Sequence, residues 1–307
     1  MYDLIIIGGG PAGVAAGVYA SRKQLKSLLI TKEFGGQSVV SEDIQNWIGT
    51  PHISGADLAK TFEEHLKEYA GDIVTIKEGA LVSDIEKTDE GFEVTTDDGE
   101  VHKSTAVLVT TGSGRRKLEV PGAEEFDNKG LTYCASCDGP LFAGQDVVVV
   151  GGGNAGFETA AQLLAYAKSV TLLHRSAEFK ADPVTVEKVL AHENMTALTN
   201  AEPTEILGES FVNGVKYKDI ESGEEKTLDV SGVFVEIGVV PNTGFLKDVV
   251  ELDAYNRIEI DPWTQKTNTP GIWAAGDCTN VRYHQNNISA GDGVRALEDI
   301  YVTLKAK

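Results

Sequence analysis

One pattern, written twice, limits what this chain can fold into. Residues 2–13 read "YDLIIIGGGPAG" and residues 146–156 read "DVVVVGGGNAG". Each is a continuous aliphatic run, then glycines spaced G-x-G-x-x-G, then the start of a small-residue helical segment. An unbroken aliphatic run of this length predicts a strand buried on both faces, as in a parallel sheet. In such a strand–turn–helix unit the first glycine permits the tight turn and the second lets the backbone approach a pyrophosphate. The third lets the helix pack close. Gly8, Gly10 and Gly13 fill these roles in the first copy; Gly153 and Gly156 belong to the second. A single glycine motif is a weak signal, but a second copy in the same context makes two dinucleotides on one chain the economical reading.

Each copy is followed by another apolar strand, "SLLIT" and "SVTLLHR", so each begins a βαβ unit. Between the copies, short alternating segments with "DEG" and "DDG" turns predict an antiparallel meander. A similar piece follows the second copy, and the C-terminal segment, with a strand and a final helix, completes the first domain. The fold class expected is α/β, with two Rossmann-like three-layer nucleotide-binding domains, the second inserted in the first. Proline-bearing crossings at "EVPGAEE" and "GVVPNT" bound the insertion, giving residues 1–114 plus 243–307 for the first domain and 115–242 for the second.

Composition excludes several classes. Lys and Arg total 27 against 47 Asp and Glu, a net charge of -20, so the surface repels phosphate backbones and anionic lipid. Nucleic acid and membrane are not expected partners. No apolar run approaches the roughly 18 residues of a membrane span, and the N-terminus lacks a basic leader with a small-residue cleavage site. Three cysteines in 307 residues are too few for a disulfide-built secreted fold, and a cytoplasmic location is expected.

"GGGPAG", "GGQ" at 35–37, "NWIG" at 46–49, "TTG" at 110–112, "CASCDG" at 134–139, "GGGNAG" and "GDCT" follow one another in an order that resembles the low-molecular-weight thioredoxin reductases. "KADP", "GVFVEIGVVPNT" and "AAGDCT" are also similar to the flavoprotein component of alkyl hydroperoxide reductase. The resemblance covers nearly the whole chain. It implies that the first dinucleotide is FAD, held by Gly8, Gly10, Pro11, Ala12 and Gly13, by Gly35, Gly36 and Gln37, and by Asn46, Val82, Thr111 and Gly112. Gly276, Asp277, His284, Gln285 and Asn286 complete that set, with Asp277 acting through a hydroxyl or water. The second dinucleotide would lie on Gly153, Asn154, Ala155 and Gly156, with His174, Arg175 and Lys180 beside its adenosine ribose.

The pair Cys134 and Cys137 is then open to judgement. A zinc site needs four ligands, and no second C-x-x-C completes one, so no metal is expected. A staple across so short a loop restrains little unfolded-chain entropy, which leaves redox turnover. In the resembled family the cysteine at 137 faces the flavin, the one at 134 attacks the protein disulfide, and the acid at Asp138 relays the proton; a helix-capping role for Asp138 is the plain alternative. Cys278 reads as a buried small hydrophobe.

Two segments depart from the family pattern. Members that use NADPH carry "HRRxxxR" after the second strand, because a 2'-phosphate needs fixed cations; here the segment is "HRSAEFK", with Ser176 in place of an arginine and Lys180 in place of the last. No acid stands at 174 or 175 to bind the ribose diol of NADH. NADPH is the first reading, and NADH or another electron donor the alternatives. Before the last helix "HQN" replaces "RQA". The resemblance implies a homodimeric FAD-dependent thioredoxin-disulfide reductase that passes electrons from flavin to Cys134 and Cys137 and on to thioredoxin or a similar protein. The departures keep open a related flavoprotein with weak or absent NADPH use, fed by a flavoprotein, ferredoxin or light or acting as a redox sensor. A disulfide reductase of a peroxide-removing system is the third reading.

Overall fold

The computed structural model describes residues 1–41, 43–246 and 248–305, with the backbone alone at 40, 136 and 137. Two compact units result: Met1–Val40 with Trp47–Gly114 and Val240–Lys307, and Ser41–Asn46 with Arg115–Val239.

The first unit opens with β1 (Tyr2–Gly9), α1 (Pro11–Arg22) and β2 (Ser27–Phe34), and β1 and β2 pair in parallel from Leu4↔Ser27 to Ile7↔Ile30. α2 (Gly55–Ala70) starts where the Ser54 hydroxyl accepts from Asp57 N at 3.0 Å, and leads to β3 (Val74–Glu78) beside β2. β4 (Val82–Thr88), β5 (Gly91–Thr96) and β6 (Val101–Val109) form the antiparallel meander, and the second half of β6 joins β1 in parallel. β7 (Ser113–Arg115) is the outgoing crossing.

The second unit runs β8 (Leu131–Thr132), α3 (Ala135–Asp138), β9 (Asp146–Val150), α4 (Asn154–Leu163), β10 (Ser169–Leu173), α5 (Pro183–Leu190) and β11 (Met195–Leu198). A three-stranded antiparallel sheet of β12 (Ala201–Gly208), β13 (Val212–Asp219) and β14 (Glu225–Asp229) follows, and then β15 (Gly232–Val235) returns to the main sheet. That sheet is parallel throughout, in the order β11-β10-β9-β15-β8. β16 (Val239–Pro241) is the returning crossing and pairs with β7 as a two-stranded ribbon. β17 (Ile272–Ala274) adds to β6 in parallel, and α6 (Asn286–Lys305) packs along α1.

The aliphatic runs are continuous because alternate residues serve opposite faces. In the second unit Val148, Val150, Leu173, Val233 and Val235 pack against Ile206, Val215 and Tyr217 of the small sheet. Val147, Val149, Val170, Leu172 and Phe234 pack against Phe157, Ala160 and Leu163 of α4. This gives the three layers expected. Phe157 is fully buried and meets Phe179 edge to face, with centroids 5.0 Å apart. Truncating it leaves a cavity that rigid neighbours cannot fill, so Phe157→Ala is expected to cost about 3–5 kcal/mol of stability, read by urea denaturation.

Candidate cofactor and redox sites

Both glycine turns are built the same way. Gly8 and Gly151 have φ of +118° and +125°, and a Cβ would fall 2.4 Å from the Thr110 carbonyl and 2.2 Å from that of Glu236. Side chains are strained at such angles even where space allows. At Gly13 and Gly156 a Cβ would sit 1.9 Å from Gly8 O and 1.8 Å from Gly151 O, so each helix lies against its own turn. Gly10 and Gly153 differ, since a Cβ at either meets nothing within 4 Å. Open space therefore faces the backbone where a pyrophosphate would approach. These two glycines are the N-caps of α1 and α4, and neither helix start has a side-chain cap. By contrast α2 and α5 are capped by Ser54 and Asp182. Uncapped N–H groups at a helix start, backed by its dipole, suit a phosphate.

The first unit gathers most of the residues expected at the flavin. Pro11 and Ala12 start α1, and Gly36 comes within contact of Gly10, at 3.6 Å from its would-be Cβ to the Gly10 Cα. The Gln37 amide donates to the Ser113 carbonyl, and Gly35 N to Gly9 O at 2.9 Å. Thr111 Oγ1 donates to Asn242 O at 2.8 Å, while Gly112 faces open space with φ +63°. Ser289, in the first turn of α6, donates to Asp277 Oδ1 at 3.1 Å. A Cβ on Gly276 would lie 3.3 Å from Ser289 Oγ and 3.4 Å from Ala12 Cβ. In "HQN", His284 Nε2 lies 3.2 Å from Val281 O, Asn286 Oδ1 accepts from Ser38 Oγ at 2.8 Å, and Gln285 O accepts from Ser289 N. Val82 is part of the core. Asn46 falls in the second unit. These donors and open glycine backbones fit a dinucleotide.

In the second unit, Asn154 and Ala155 are exposed on the first turn of α4, and Asn154 Oδ1 accepts from Asp182 N at 2.8 Å. His174, expected beside the adenosine ribose, spends its ring on the backbone. Its ring is buried, Nδ1 accepts from Gly152 N at 3.2 Å, and Nε2 faces the Glu178 carbonyl at 2.9 Å. Both nitrogens are committed to backbone, which suits the neutral ring with its proton on Nε2. His174 thus folds the segment 175–180 back onto the glycine turn, a connection that Lys180 N completes by donating to Gly152 O at 2.8 Å. Arg175 and Lys180 are exposed and, among the described residues, form no ion pair with Glu178.

Cys134 is disulfide-bonded and forms the N-cap of the four-residue helix α3; the side chain of Cys137 lies outside the described residues. Asp138 Oδ2 accepts from the hydroxyl of buried Thr132, which in turn accepts from Cys134 N at 3.2 Å. Thr132 escaped the sequence reading, although its place two residues before the first cysteine was the available signal. Glu236 escaped it too, as the one acid closing an apolar strand run.

Residues 2–293 match the family described as pyridine nucleotide-disulphide oxidoreductase, and the chain belongs to it. A subunit of the alkyl hydroperoxide reductase of Staphylococcus aureus is 42% identical over 295 residues, 96% of this chain and 57% of that protein. A Bacillus subtilis protein described as NADH dehydrogenase matches with the same identity and coverage. The chain therefore spans a little over half the length of these relatives. The thioredoxin reductase of Streptococcus pyogenes superposes with a TM-score of 0.90 at 34% identity, covering 100% of this chain and 99% of that one. That of Giardia duodenalis gives 0.91 at 30%, with coverage of 100% and 99%. The family implies a flavin and a nicotinamide cofactor. Among the described residues no group of His, Cys, Asp or Glu is placed to hold a metal, and no helix is long and apolar enough to cross a membrane.

Cys278 is fully buried, donates weakly to the Val109 and Ala275 carbonyls, and has its thiol pushed up to about 11 by burial. A thiol so protonated is a poor nucleophile near neutral pH. After reduction, iodoacetamide on the native protein is expected to label Cys134 and Cys137 and spare Cys278, which reacts only in denaturant; peptide mapping reads the result.

Proposed function

We propose that this chain is an FAD-dependent disulfide reductase in which Cys134 and Cys137 are the pair turned over to reduce thioredoxin or a similar protein. Support comes above all from the disulfide-bonded Cys134 at the head of a short helix whose Asp138 is held by Thr132, in a chain belonging to a disulphide oxidoreductase family. FAD, bound through Gly8, Gly10, Gly13 and Asp277, supplies the electron pair.

Two electrons and two protons turn the Cys134–Cys137 disulfide into two thiols. Cys134, as thiolate, attacks one sulfur of the partner's disulfide; that bond breaks, a mixed disulfide forms, and the other partner sulfur leaves as thiolate. Cys137 then attacks the Cys134 sulfur, which restores the internal disulfide and releases the second partner thiolate. Asp138 holds the proton that the leaving thiolates need, and Thr132 fixes the direction of its carboxyl. The second reading, a peroxiredoxin-type partner, draws support from the 42% identity to the alkyl hydroperoxide reductase protein. For the nicotinamide donor, NADPH is favoured by the exposed cations Arg175 and Lys180; NADH draws support from the relative described as NADH dehydrogenase.

Cys134→Ser leaves the flavin-side thiol in place and is expected to show a long-wavelength charge-transfer band with oxidised flavin, whereas Cys137→Ser shows none. Both lose thioredoxin reduction, and a band in Cys137→Ser alone reverses the assignment. At the nucleotide, Ser176→Arg supplies a third fixed cation and is expected to shift the NADPH-to-NADH ratio of flavin reduction rates by about tenfold, equivalent to roughly 1.4 kcal/mol. Equal, slow rates with both donors in that variant would show that neither is the physiological reductant.

A further inference from the structure

Glu236 is the residue directly after β15, and its backbone is locked to the second glycine turn. Its N–H donates to Val150 O at 2.8 Å, and its carbonyl lies where a Cβ on Gly151 would be. The side chain is largely buried, with 9% of its surface exposed. Oε1 accepts from Thr159 Oγ1 of α4 at 2.9 Å, and Oε2 from Arg115 Nη1 of β7 at 3.1 Å. Burial, and to a lesser degree the nearby Glu158 carboxylate, push the carboxyl above the ordinary range, while Arg115 and Thr159 pull it back toward the ionised form.

The sheet order locates this group. From β9 the chain moves outward to β10 and β11, and then returns to β15 on the opposite side of β9. In open α/β sheets a dinucleotide lies across the carboxyl ends of the strands at such a reversal, one half on each side. The end of β10 carries Arg175 and Lys180, cations suited to the adenosine half. The end of β15, with Glu236, therefore receives the nicotinamide half.

The two redox states of nicotinamide differ there by one charge, since the oxidised ring is a cation and the reduced ring is neutral. We propose that Glu236, held by Thr159 and countered by Arg115, is a specificity-determining residue that makes the second unit prefer the oxidised, cationic ring over the neutral one. The proposal rests on the second unit binding a pyridine nucleotide. Low surrounding dielectric strengthens the attraction between a buried carboxylate and a cationic ring, and Arg115 limits it by neutralising part of the charge. Pyrophosphate and adenosine contacts are common to both redox states and cancel from their ratio.

The test is calorimetric titration of the oxidised holoprotein with NAD⁺ and NADP⁺, each set against its 1,4,5,6-tetrahydro analogue, which has a neutral ring and gives no hydride. Glu236→Gln keeps the shape, removes the charge and leaves Arg115 uncompensated. It is expected to lower the oxidised-to-tetrahydro affinity ratio by about tenfold, while 2',5'-ADP, which lacks the nicotinamide half, binds as before. Glu236→Asp restores much of the ratio, and Arg115→Met raises it. A ratio unmoved in Glu236→Gln with 2',5'-ADP binding intact overturns the proposal, as does an equal loss for both ring forms. Should Glu236→Gln not fold, a ratio in Arg115→Met that stays level or falls overturns it equally. If the unaltered protein binds none of these ligands, the nucleotide reading of the second unit fails and the proposal with it.

Discussion

The contact on which both nucleotide units depend is the one between the third glycine of each turn and the carbonyl of the first. Where Gly13 faces Gly8 and Gly156 faces Gly151, even one methyl group would fall under 2 Å from an oxygen. No rotamer relieves such an overlap, because the Cβ is fixed by the backbone. The bare Cα lets α1 and α4 begin directly over the ends of β1 and β9, with their uncapped N–H groups turned toward open space. An ordinary side chain there would lift the helix from the sheet and separate those donors from the strand ends.

That constraint explains what was legible in the sequence. The strands β1 and β9 were evident because layers on both faces demand continuous aliphatic residues, and the helices because G-x-G-x-x-G has few other uses between such a strand and a small-residue run. The meander β4–β5–β6 was equally plain from its turns, which place Gly91 and Gly99 at positive φ. What the sequence did not reveal were contacts between residues far apart in the chain. His174 was expected at the nucleotide because the family pattern has a histidine there, yet its ring is spent on the backbone of Gly152 and Glu178. Glu236 could not be linked to Arg115, 121 residues away, since a single sequence carries no pairing information. Thr132 was hidden for a different reason, as a β-branched residue in a strand needs no explanation beyond propensity.

Cys278 and Cys134 illustrate how environment rather than residue type assigns chemistry. Cys278 sits in the first unit's core among Val107, Val109 and Ala274, where an ionised sulfur would lose its hydration without gaining a counter-charge. Cys134 is partly exposed and begins a helix, with a hydroxyl linking its own N–H to the neighbouring carboxylate. The same link accounts for Asp138. The Thr132 hydroxyl donates to its carboxylate and so ties that acid to the helix start at Cys134.

Charge poses the remaining problem, because a dinucleotide is an anion and the chain carries a net charge of -20. Diffuse repulsion of that kind is screened over a Debye length of about 8 Å at physiological ionic strength, so capture falls to groups that act at shorter range. The second unit arranges these unequally: the uncapped start of α4 at the centre, exposed Arg175 and Lys180 beyond β10, and beyond β15 the pair of largely buried Glu236 with Arg115, whose side chain is 33% exposed. The exposed cations can hold phosphate but are themselves weakened by salt. The Glu236–Arg115 pair has no net charge to offer a phosphate, and its largely buried carboxylate is less screened by salt than the exposed cations are. If the second unit holds a dinucleotide as proposed, capture of the anionic half and discrimination of the ring fall to groups at the ends of different strands, and ionic strength tunes the first more than the second.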